Sequence, residues 1–347
     1  MILCTPACCT RFACIADRCE DSCCVGWEIA VDSASLARYD SVRGAFAQTL
    51  QDSLVRTPQG ACFRLRPDGR CALLNDAGLC ELYIHLGKDA LCQICADHPR
   101  FFEWYGPVKE AGLGLCCPEA ARLWFAQPLP FSLVRQPLAE PEKPAPLWYE
   151  PLERVRACAF SLLQDPERSF PQRLALVTAL CGHAQTCVDR DRPEDVDAVL
   201  AAYADPAPLL ESLAQSVAPA DDCRREVVEL FRGLSALDPG WTRRLERCPA
   251  VPGWDPAAEP WLERFALYLV YRYFLKSCLD GNVLGRGKWM TAACLLLFAL
   301  SRDGTDPVLL AREWSKNVEY CPANLDRLDL AVQKLSASSL LGMLVSL

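Results

Sequence analysis

The chain has 347 residues, of which 51% are hydrophobic and 23% are charged, and it carries a formal net charge of −8. A chain of this length can bury a large core and hold two domains, so it does not need disulfides to fold. The acidic balance provides no basic field that would attract a phosphate backbone, which argues against nucleic acid as a partner.

Cysteines are concentrated near the N-terminus, where 14 of the 22 lie within the first 117 residues. Residues 1–11 show neither the basic region nor the apolar region of a secretory signal, so we expect a cytoplasmic protein with reduced thiols. Reduced cysteines at close spacing favour a thiolate-bound metal centre over a disulfide framework.

The cysteine-rich part is predicted to be irregular. The turn sequences Arg66-Pro-Asp-Gly69 and Asn75-Asp-Ala-Gly78 interrupt it, so we expect loops and short helices around a metal centre. Asp32 is predicted to cap one such helix over residues 33–39.

A proline-rich stretch marks the predicted boundary. Seven prolines lie between positions 128 and 151, a composition that disfavours helix and favours extended chain. We therefore predict a cysteine-cluster domain over residues 1–127, a linker over 128–150 and a second domain over 151–347.

The second domain is predicted to be all-helical. Apolar residues recur there at spacings of three and four, without strand alternation. Such segments cover residues 152–163, 174–188, 196–213 and 227–237. The fold class is therefore mainly α, with an irregular cysteine-rich domain followed by an all-helical one.

The longest apolar stretch covers residues 289–300. It is shorter than the about 20 residues that a membrane-spanning helix needs. We predict a buried core helix and no membrane partner.

The close cysteine spacings suit metal coordination. Four thiolates complete a zinc site or hold an iron–sulfur cluster, and the number of cysteines alone does not choose between them. The Cys92-Gln-Ile-Cys95 loop suits either centre, or a redox pair. Neighbouring cysteines rarely point at one tetrahedral ion, so pairs such as Cys23-Cys24 and Cys116-Cys117 are expected to have a spare member or to face two centres. The scattered cysteines of the helical part are expected to pack as small core residues.

Six sequence blocks carry a family resemblance. Four lie in the cysteine-rich part: Phe12-Ala-Cys14-Ile-Ala-Asp-Arg-Cys19-Glu-Asp-Ser-Cys23-Cys24-Val-Gly-Trp27, Cys71-Ala-Leu-Leu-Asn-Asp-Ala-Gly-Leu-Cys80, Leu86-Gly-Lys-Asp-Ala-Leu-Cys92-Gln-Ile-Cys95-Ala-Asp-His-Pro-Arg100-Phe and Gly112-Leu-Gly-Leu-Cys116-Cys117-Pro-Glu-Ala-Ala-Arg122. Two lie near the C-terminus: Tyr271-Arg-Tyr-Phe-Leu275 and Trp314-Ser-Lys-Asn-Val-Glu319-Tyr-Cys-Pro-Ala-Asn324. In order and spacing the chain resembles the flagellin lysine-N-methylase family.

The resemblance implies an enzyme that uses S-adenosylmethionine to N-methylate lysine side chains of a protein substrate, flagellin. It also implies a cysteine-bound iron–sulfur cluster, of the 4Fe-4S type, with zinc as the alternative metal. The implied ligands are Cys14, Cys19, Cys23, Cys24, Cys71, Cys80, Cys95 and Cys117, with Cys92 and Cys116 as less uniform additions.

Three residues are candidates for binding the cofactor: His98, Arg100 and Glu119. His98 can ligate a metal, bond a cluster sulfur or orient a substrate, or it can be a structural histidine. Arg100 can pair with the cofactor carboxylate, or with Glu119 or Glu110 as a structural ion pair. No Gly-x-Gly-x-x-Gly loop is present to place the S-adenosylmethionine site by motif, and no catalytic base is assigned.

Two other functions remain open at this point. A non-enzymatic zinc- or iron-binding protein explains the cysteines but not the long helical part. A redox or electron-transfer protein requires an exposed centre and a docking face.

Overall fold

The computed structural model describes residues 1–58, 60–218 and 220–347. Strands occur only before residue 138 within these ranges. They are β1 (Ile2–Pro6), β2 (Ile29–Val31), β3 (Leu54–Thr57), β4 (Gly60–Phe63), β5 (Arg100–Tyr105), β6 (Val108–Leu113) and β7 (Leu133–Pro137).

Helices occupy most of the chain after residue 148. They are, in order, α1 (Ser33–Asp40), α2 (Ala47–Asp52), α3 (Glu81–Leu86), α4 (Gln93–Asp97), α5 (Pro118–Phe125), α6 (Tyr149–Leu163), α7 (Phe170–Asp189), α8 (Val196–Ala202), α9 (Ala207–Ser216), α10 (Cys223–Arg232), α11 (Pro239–Arg247), α12 (Glu259–Tyr273), α13 (Ser277–Asp280), α14 (Val283–Ser301), α15 (Pro307–Trp314), α16 (Pro322–Ala331) and α17 (Ala337–Ser346). Short 3-10 turns lie at Ala7–Arg11, Ala16–Arg18, Lys88–Ala90, Pro193–Asp195, Pro256–Ala258, Phe274–Lys276 and Val332–Lys334, and a π-helical turn lies at Ser315–Glu319.

The strands form two small sheets, which corrects the prediction of an irregular N-terminal part. One sheet has the order β5-β6-β1-β7, with β1 parallel to β6 and the other pairs antiparallel. The other is the antiparallel sheet β2-β4-β3. The strands are only three to six residues long, too short for the alternation of apolar residues to stand out.

The helical prediction for the second part is confirmed, with two changes in the boundaries. The segment 196–213 breaks into α8 and α9, and Pro206 stands just before α9 begins, because proline favours the start of a helix and not its interior. The proline-rich stretch is extended as predicted, but its strand β7 pairs with β1 and its last residues begin α6.

Two apolar cores hold the molecule together. The larger core includes Cys4 of β1, Tyr105 of β5 and Trp124 of α5 together with the buried faces of the C-terminal helices. The smaller core lies among β2, β4, α1, α3 and the cysteine loops. The first sheet thus packs with the C-terminal helices, across the predicted boundary. The division into domains over residues 1–127 and 151–347 stays a prediction.

Helix α14 is the central helix of the larger core. It is the helix in the described residues whose length and apolar composition would also suit a membrane span, and 94% of that window is buried inside the protein. A second such span arises only if the consecutive helical segments Ala323–Lys334 and Ala337–Ser346, bent by 84°, are taken together. The burial confirms the predicted core helix.

Candidate thiol site at the junction of the two cores

Backbone hydrogen bonds bring the separate cysteine blocks together. The amide of Cys71 donates to the carbonyl of Cys24 at 2.8 Å, and β-bridges join Val25 to Arg70 and Leu74 to Cys80. Helix α4 begins directly after Cys92, and its first amide, of Gln93, donates to the Asp32 carboxylate at 2.9 Å. Asp32 also caps α1 through the Ser35 amide, as predicted. Local turns and one carboxylate therefore assemble distant parts of the sequence.

Six of the ten predicted metal ligands form a first thiol group. The negative charge of one thiolate raises the pKa of the others: Cys24 is affected by Cys23, Cys71 and Cys80, and Cys95 by Cys92, Cys24 and Cys80. Such interactions require proximity, because they weaken with distance. The first thiol group consists of Cys23, Cys24, Cys71, Cys80, Cys92 and Cys95.

The remaining four predicted ligands form a second thiol group. The Cys117 thiol is affected by Cys19 and Cys14, and the Cys19 thiol by Cys14 and by Cys23 of the first group. Cys116 is buried beside Cys117, and burial raises its pKa to about 12. Electrostatic interactions therefore link Cys14, Cys19, Cys116 and Cys117 as the second thiol group. That these ten cysteines ligate a metal stays a prediction.

Two thiols of the first group are acidic. Hydrogen bonds from their neighbours Cys24 and Cys95 lower the pKa of Cys23 and Cys92 to about 7. The same bonds, together with burial, raise the pKa of Cys24 and Cys95. Near pH 7 this group therefore offers thiolates, the form that binds metals.

The thiol site offers the type of donor atom that a metal centre needs. Its side chains in the described part of the chain are not, however, arranged as a complete coordination shell. The Cys23 and Cys24 sulfurs are 3.9 Å apart, close to the roughly 3.8 Å edge of a tetrahedron with zinc–sulfur bonds of about 2.3 Å. Yet no three histidine, cysteine, aspartate or glutamate side chains among the described residues are arranged to hold a metal ion. All 22 cysteines are free thiols.

The three predicted cofactor-binding residues each have different contact partners in the structure. His98 is partly buried, and the ring centroids of Trp27 and Tyr320 lie 6.1 and 5.9 Å from its own. Burial, and then the charge of Lys316, lower the pKa of His98 to about 4, so it is neutral at pH 7.

Arg100 and Glu119 have other contacts. The guanidinium of Arg100 lies over the ring of Phe12, 5.1 Å from its centroid. Glu119 accepts two hydrogen bonds from Arg122, at 2.8 and 2.6 Å. The other predicted partner of Arg100, Glu110, is paired with Arg156.

A buried carboxylate lies beside the second thiol group. Glu319, in the π-helical turn, accepts hydrogen bonds from the hydroxyls of Tyr268 at 2.9 Å and Tyr273 at 2.7 Å, and from Ser315. Its side chain is fully buried, and the Arg272 guanidinium lies 3.3 Å away. Four donors satisfy this charge, so it is a structural anchor for the helices around it.

The loop before Cys116 runs directly over this anchor. A Cβ atom on Gly114 would lie 2.5 Å from the Tyr320 hydroxyl and 3.3 Å from Arg272. The amide of Leu115 points to the Tyr268 hydroxyl at 3.4 Å. Only glycine permits this approach, which places the second thiol group against the C-terminal helices.

A second junction was missed by sequence reasoning. Glu20 and Asp21 pair with Arg312, the Asp21 contact being 2.9 Å, and Asp21 also pairs with Lys316. Their partners are about 290 residues away along the chain, in α15 and the π-helical turn. The one signal was the C-terminal block that starts at Trp314.

These features define a mainly α-helical protein with a cysteine-rich thiol site. A flagellar biosynthetic protein FliU of Salmonella muenchen is 31% identical over 120 residues, which cover 33% of this chain and 71% of that protein. Lysine-N-methylases of Salmonella typhimurium and Salmonella choleraesuis are each 26% identical over 187 residues, 52% of this chain. The chain belongs to the family of these lysine-N-methylase and flagellar proteins.

The match covers 47% of the length of the two lysine-N-methylases. No family model matches the chain. No solved structure matches it significantly.

Proposed function

We propose that this protein transfers methyl groups from S-adenosylmethionine to lysine side chains of a protein substrate, and that flagellin is that substrate. The observation that carries the proposal is the family match, whose members are named lysine-N-methylase and flagellar biosynthetic protein. The cysteine blocks that carry the resemblance support it, because electrostatic interactions link their thiols into two groups in this fold.

Methyl transfer places definite demands on the site. The lysine nitrogen forms a bond to the methyl carbon as the carbon–sulfur bond of the sulfonium breaks, and S-adenosylhomocysteine leaves. The amine must first lose a proton to a base or to water. His98 is neutral at pH 7, so it can accept a hydrogen bond from an amine without repelling it.

The thiol site is proposed to hold the iron–sulfur cluster, with zinc as the alternative. Its ligands would come from the two thiol groups. A bound centre would supply folding free energy, because it would cross-link cysteine blocks that share only a small apolar core.

Anaerobic purification followed by metal and sulfide analysis tests the centre. Incubation with flagellin and methyl-labelled S-adenosylmethionine, read by mass spectrometry of the flagellin peptides, tests the activity. We expect iron with matching sulfide, and label on lysine nitrogen. Metal-loaded protein that transfers no label to flagellin would contradict the flagellin assignment, and the same result with a mixture of flagellar proteins would contradict the activity.

A redox function is the second candidate. One observation favours it: Cys92 has a pKa of about 7 and a hydrogen-bonded neighbour, Cys95, in the Cys-x2-Cys spacing of dithiol sites. Metal-free protein equilibrated in glutathione buffers distinguishes the two. A reversible Cys92–Cys95 disulfide without methyl transfer supports the redox function.

A further inference from the structure

A pair of neighbouring cysteines lies outside the ten predicted metal ligands. Cys8 and Cys9 belong to the 3-10 turn Ala7–Arg11, which directly follows β1 and packs against α5. Their sulfurs are 3.9 Å apart, and one thiol hydrogen-bonds the other. Two thiols this close form a dithiol, which loses two electrons and two protons when a disulfide closes.

The two sulfurs differ in their access to solvent. Cys8 is only 3% exposed and belongs to the larger core, whereas Cys9 is partly exposed and packs against that core. The hydrogen bond between them can run in either direction, so the negative charge can reside on the exposed sulfur once the pair has lost one proton. Cys9 is therefore the sulfur that a dissolved disulfide reaches, and Cys8 is the sulfur behind it.

The surroundings of the pair favour a thiolate. The hydrogen bond from Cys9, and less strongly the charge of Arg11, lower the pKa of Cys8. The bond to Cys8, and burial, raise the pKa of Cys9, but a main-chain hydrogen bond of Leu113 and the charge of Arg100 oppose this rise. Cationic neighbours of this kind are typical of reactive cysteines.

A disulfide between adjacent residues is labile. The peptide between Cys8 and Cys9 is trans, which places their α-carbons about 3.8 Å apart. The α-carbons of disulfide-bonded cysteines are usually about 4.4–6.8 Å apart. The closed ring is therefore strained, and strained disulfides are easily reduced and serve as regulatory bonds instead of structural ones.

We infer that Cys8 and Cys9 are a redox-active dithiol, which low-molecular-weight disulfides of the glutathione type oxidise reversibly. The Cys9 thiolate attacks one sulfur of glutathione disulfide, and one glutathione thiolate leaves. The Cys8 thiol then loses its proton to solvent and attacks the Cys9 sulfur of the mixed disulfide. The Cys8–Cys9 bond forms as the second glutathione thiolate leaves. The protein loses two electrons, and one glutathione disulfide becomes two glutathiones. This chemistry does not depend on the proposed methyl transfer.

Mapping of the oxidised thiols by mass spectrometry tests the inference. The anaerobically purified full chain is equilibrated in glutathione buffers, alkylated with N-ethylmaleimide in denaturant and digested with trypsin, which releases residues 1–11. As the share of oxidised glutathione rises, Cys8 and Cys9 should both lose their alkyl groups, whereas the buried Cys4 in the same peptide stays alkylated. Excess reduced glutathione should restore both alkyl groups.

Single replacements separate the roles of the two sulfurs. Cys8→Ser lacks the sulfur that displaces glutathione, so it should accumulate the mixed disulfide on Cys9. Cys9→Ser keeps only the buried sulfur and should stay unmodified at Cys8. The matched control in every sample is Cys158, a partly exposed thiol whose pKa is raised by burial. Cys9 should react at least about tenfold faster than Cys158.

Three results would overturn the inference. The first is that Cys8 and Cys9 of the unaltered protein stay alkylated at every glutathione ratio. The second is a folded Cys8→Ser variant that carries no glutathione on Cys9. The third is oxidation of the pair only after a chelator has removed bound metal, which would make these cysteines metal ligands; equal oxidation with and without metal is expected. If circular dichroism shows that a variant does not fold, the unaltered protein alone decides.

Discussion

Two of the three adjacent cysteine pairs in this protein have their sulfurs close together. The sulfurs of Cys8 and Cys9 are 3.9 Å apart, as are those of Cys23 and Cys24. In each pair one thiol hydrogen-bonds the other, which lowers the pKa of Cys8 and of Cys23 and raises that of the second member. In the Cys23–Cys24 pair, where the pKa of Cys23 is about 7, the doublet therefore provides one thiolate and one donor near neutral pH.

The thiol site should depend on single sulfurs in a way that the core cysteines do not. Cys95→Ser is expected to remove bound metal and lower the thermal midpoint sharply, because losing a ligand forfeits binding free energy that supports folding. Cys187→Ser, in the larger core, should cost about 1 kcal/mol. Metal per chain and thermal unfolding of both variants check this. Equal metal loss in the two would contradict a metal site at Cys95.

His98 should make the stability of the protein depend on pH. Its folded-state pKa of about 4 lies below the ordinary 6.5, so the unfolded chain binds the proton more readily. The contribution of neutral His98 to the free energy of unfolding is fully present above pH 6.5. It is lost progressively as the pH falls from 6.5 toward 4, because protons then bind the unfolded chain preferentially. Between pH 7 and pH 5 this one group should cost about 2 kcal/mol.

Chemical unfolding at pH 7 and pH 5 measures this slope in the unaltered protein and in His98→Asn, where it should be reduced. His85→Asn serves as the control, because His85 is exposed and pairs with Glu81. An identical pH slope in His98→Asn and the unaltered protein would rule out a titrating His98.

The sequence predicted those residues of the candidate site that lie in a recognisable motif, and it did not predict the others. The spacing of the cysteine blocks predicted a common thiolate centre, and that stays a prediction. The partners of Glu20 and Asp21 could not be predicted, because ion pairs between residues almost 300 positions apart leave no local pattern. The burial of Glu319 under three hydroxyls could not be predicted either, because it depends on how α12 packs against the π-helical turn.

At the scale of elements, helices were predictable and strands were not. The caps at Asp32 and Asp306 and the N-terminal Pro171 of α7 follow local rules, and the structure has each of them. The strands depend on partners far along the chain, as when β1 pairs with β6 and β7. The run Arg100-Phe-Phe-Glu-Trp-Tyr105 does have the aromatic composition of a strand, and that signal was overlooked.

Asp32 should contribute more to the free energy of unfolding than an ordinary helix cap does. It accepts from Ser35 at the start of α1 and from Gln93 at the start of α4, and these bonds lower its pKa to about 2. Asp32→Ala should cost about 2 kcal/mol, a cap of about 1 kcal/mol plus a second charged hydrogen bond. Urea unfolding measures this loss.

The comparison is Asp306→Ala, which removes a cap that accepts from Leu309 and should cost about 1 kcal/mol. Asp32→Ala should also weaken metal retention, because the Gln93 amide lies inside the Cys92–Cys95 loop. Equal costs for the two variants, with unchanged metal affinity, would show that the Gln93 bond contributes nothing.

At the scale of the whole molecule, the two halves of the sequence share one large core. Strand β6 and helix α6 are joined inside it by Glu110 and Arg156, whose side chains are only 3% and 2% exposed. The carboxylate accepts two hydrogen bonds from the guanidinium, at 2.9 and 2.6 Å. Because β1 lies beside β6 in register with Glu110 at Cys4, this ion pair fixes the first sheet to the helices and, through the β6–α5 loop, positions the second thiol group.

Removing one partner of this pair should be far more costly than removing both. Arg156→Met leaves a buried, unpaired carboxylate and should lower the free energy of unfolding by about 3–5 kcal/mol, whereas the double replacement Arg156→Met with Glu110→Leu should recover much of the loss. Denaturant unfolding of the two variants measures the difference. Arg192→Met, which removes an exposed partner of Glu194, should change stability by less than about 1 kcal/mol. If Arg156→Met costs no more than Arg192→Met, the buried pair does not hold the sheet against the helices, and the apolar contacts of the larger core must do so alone.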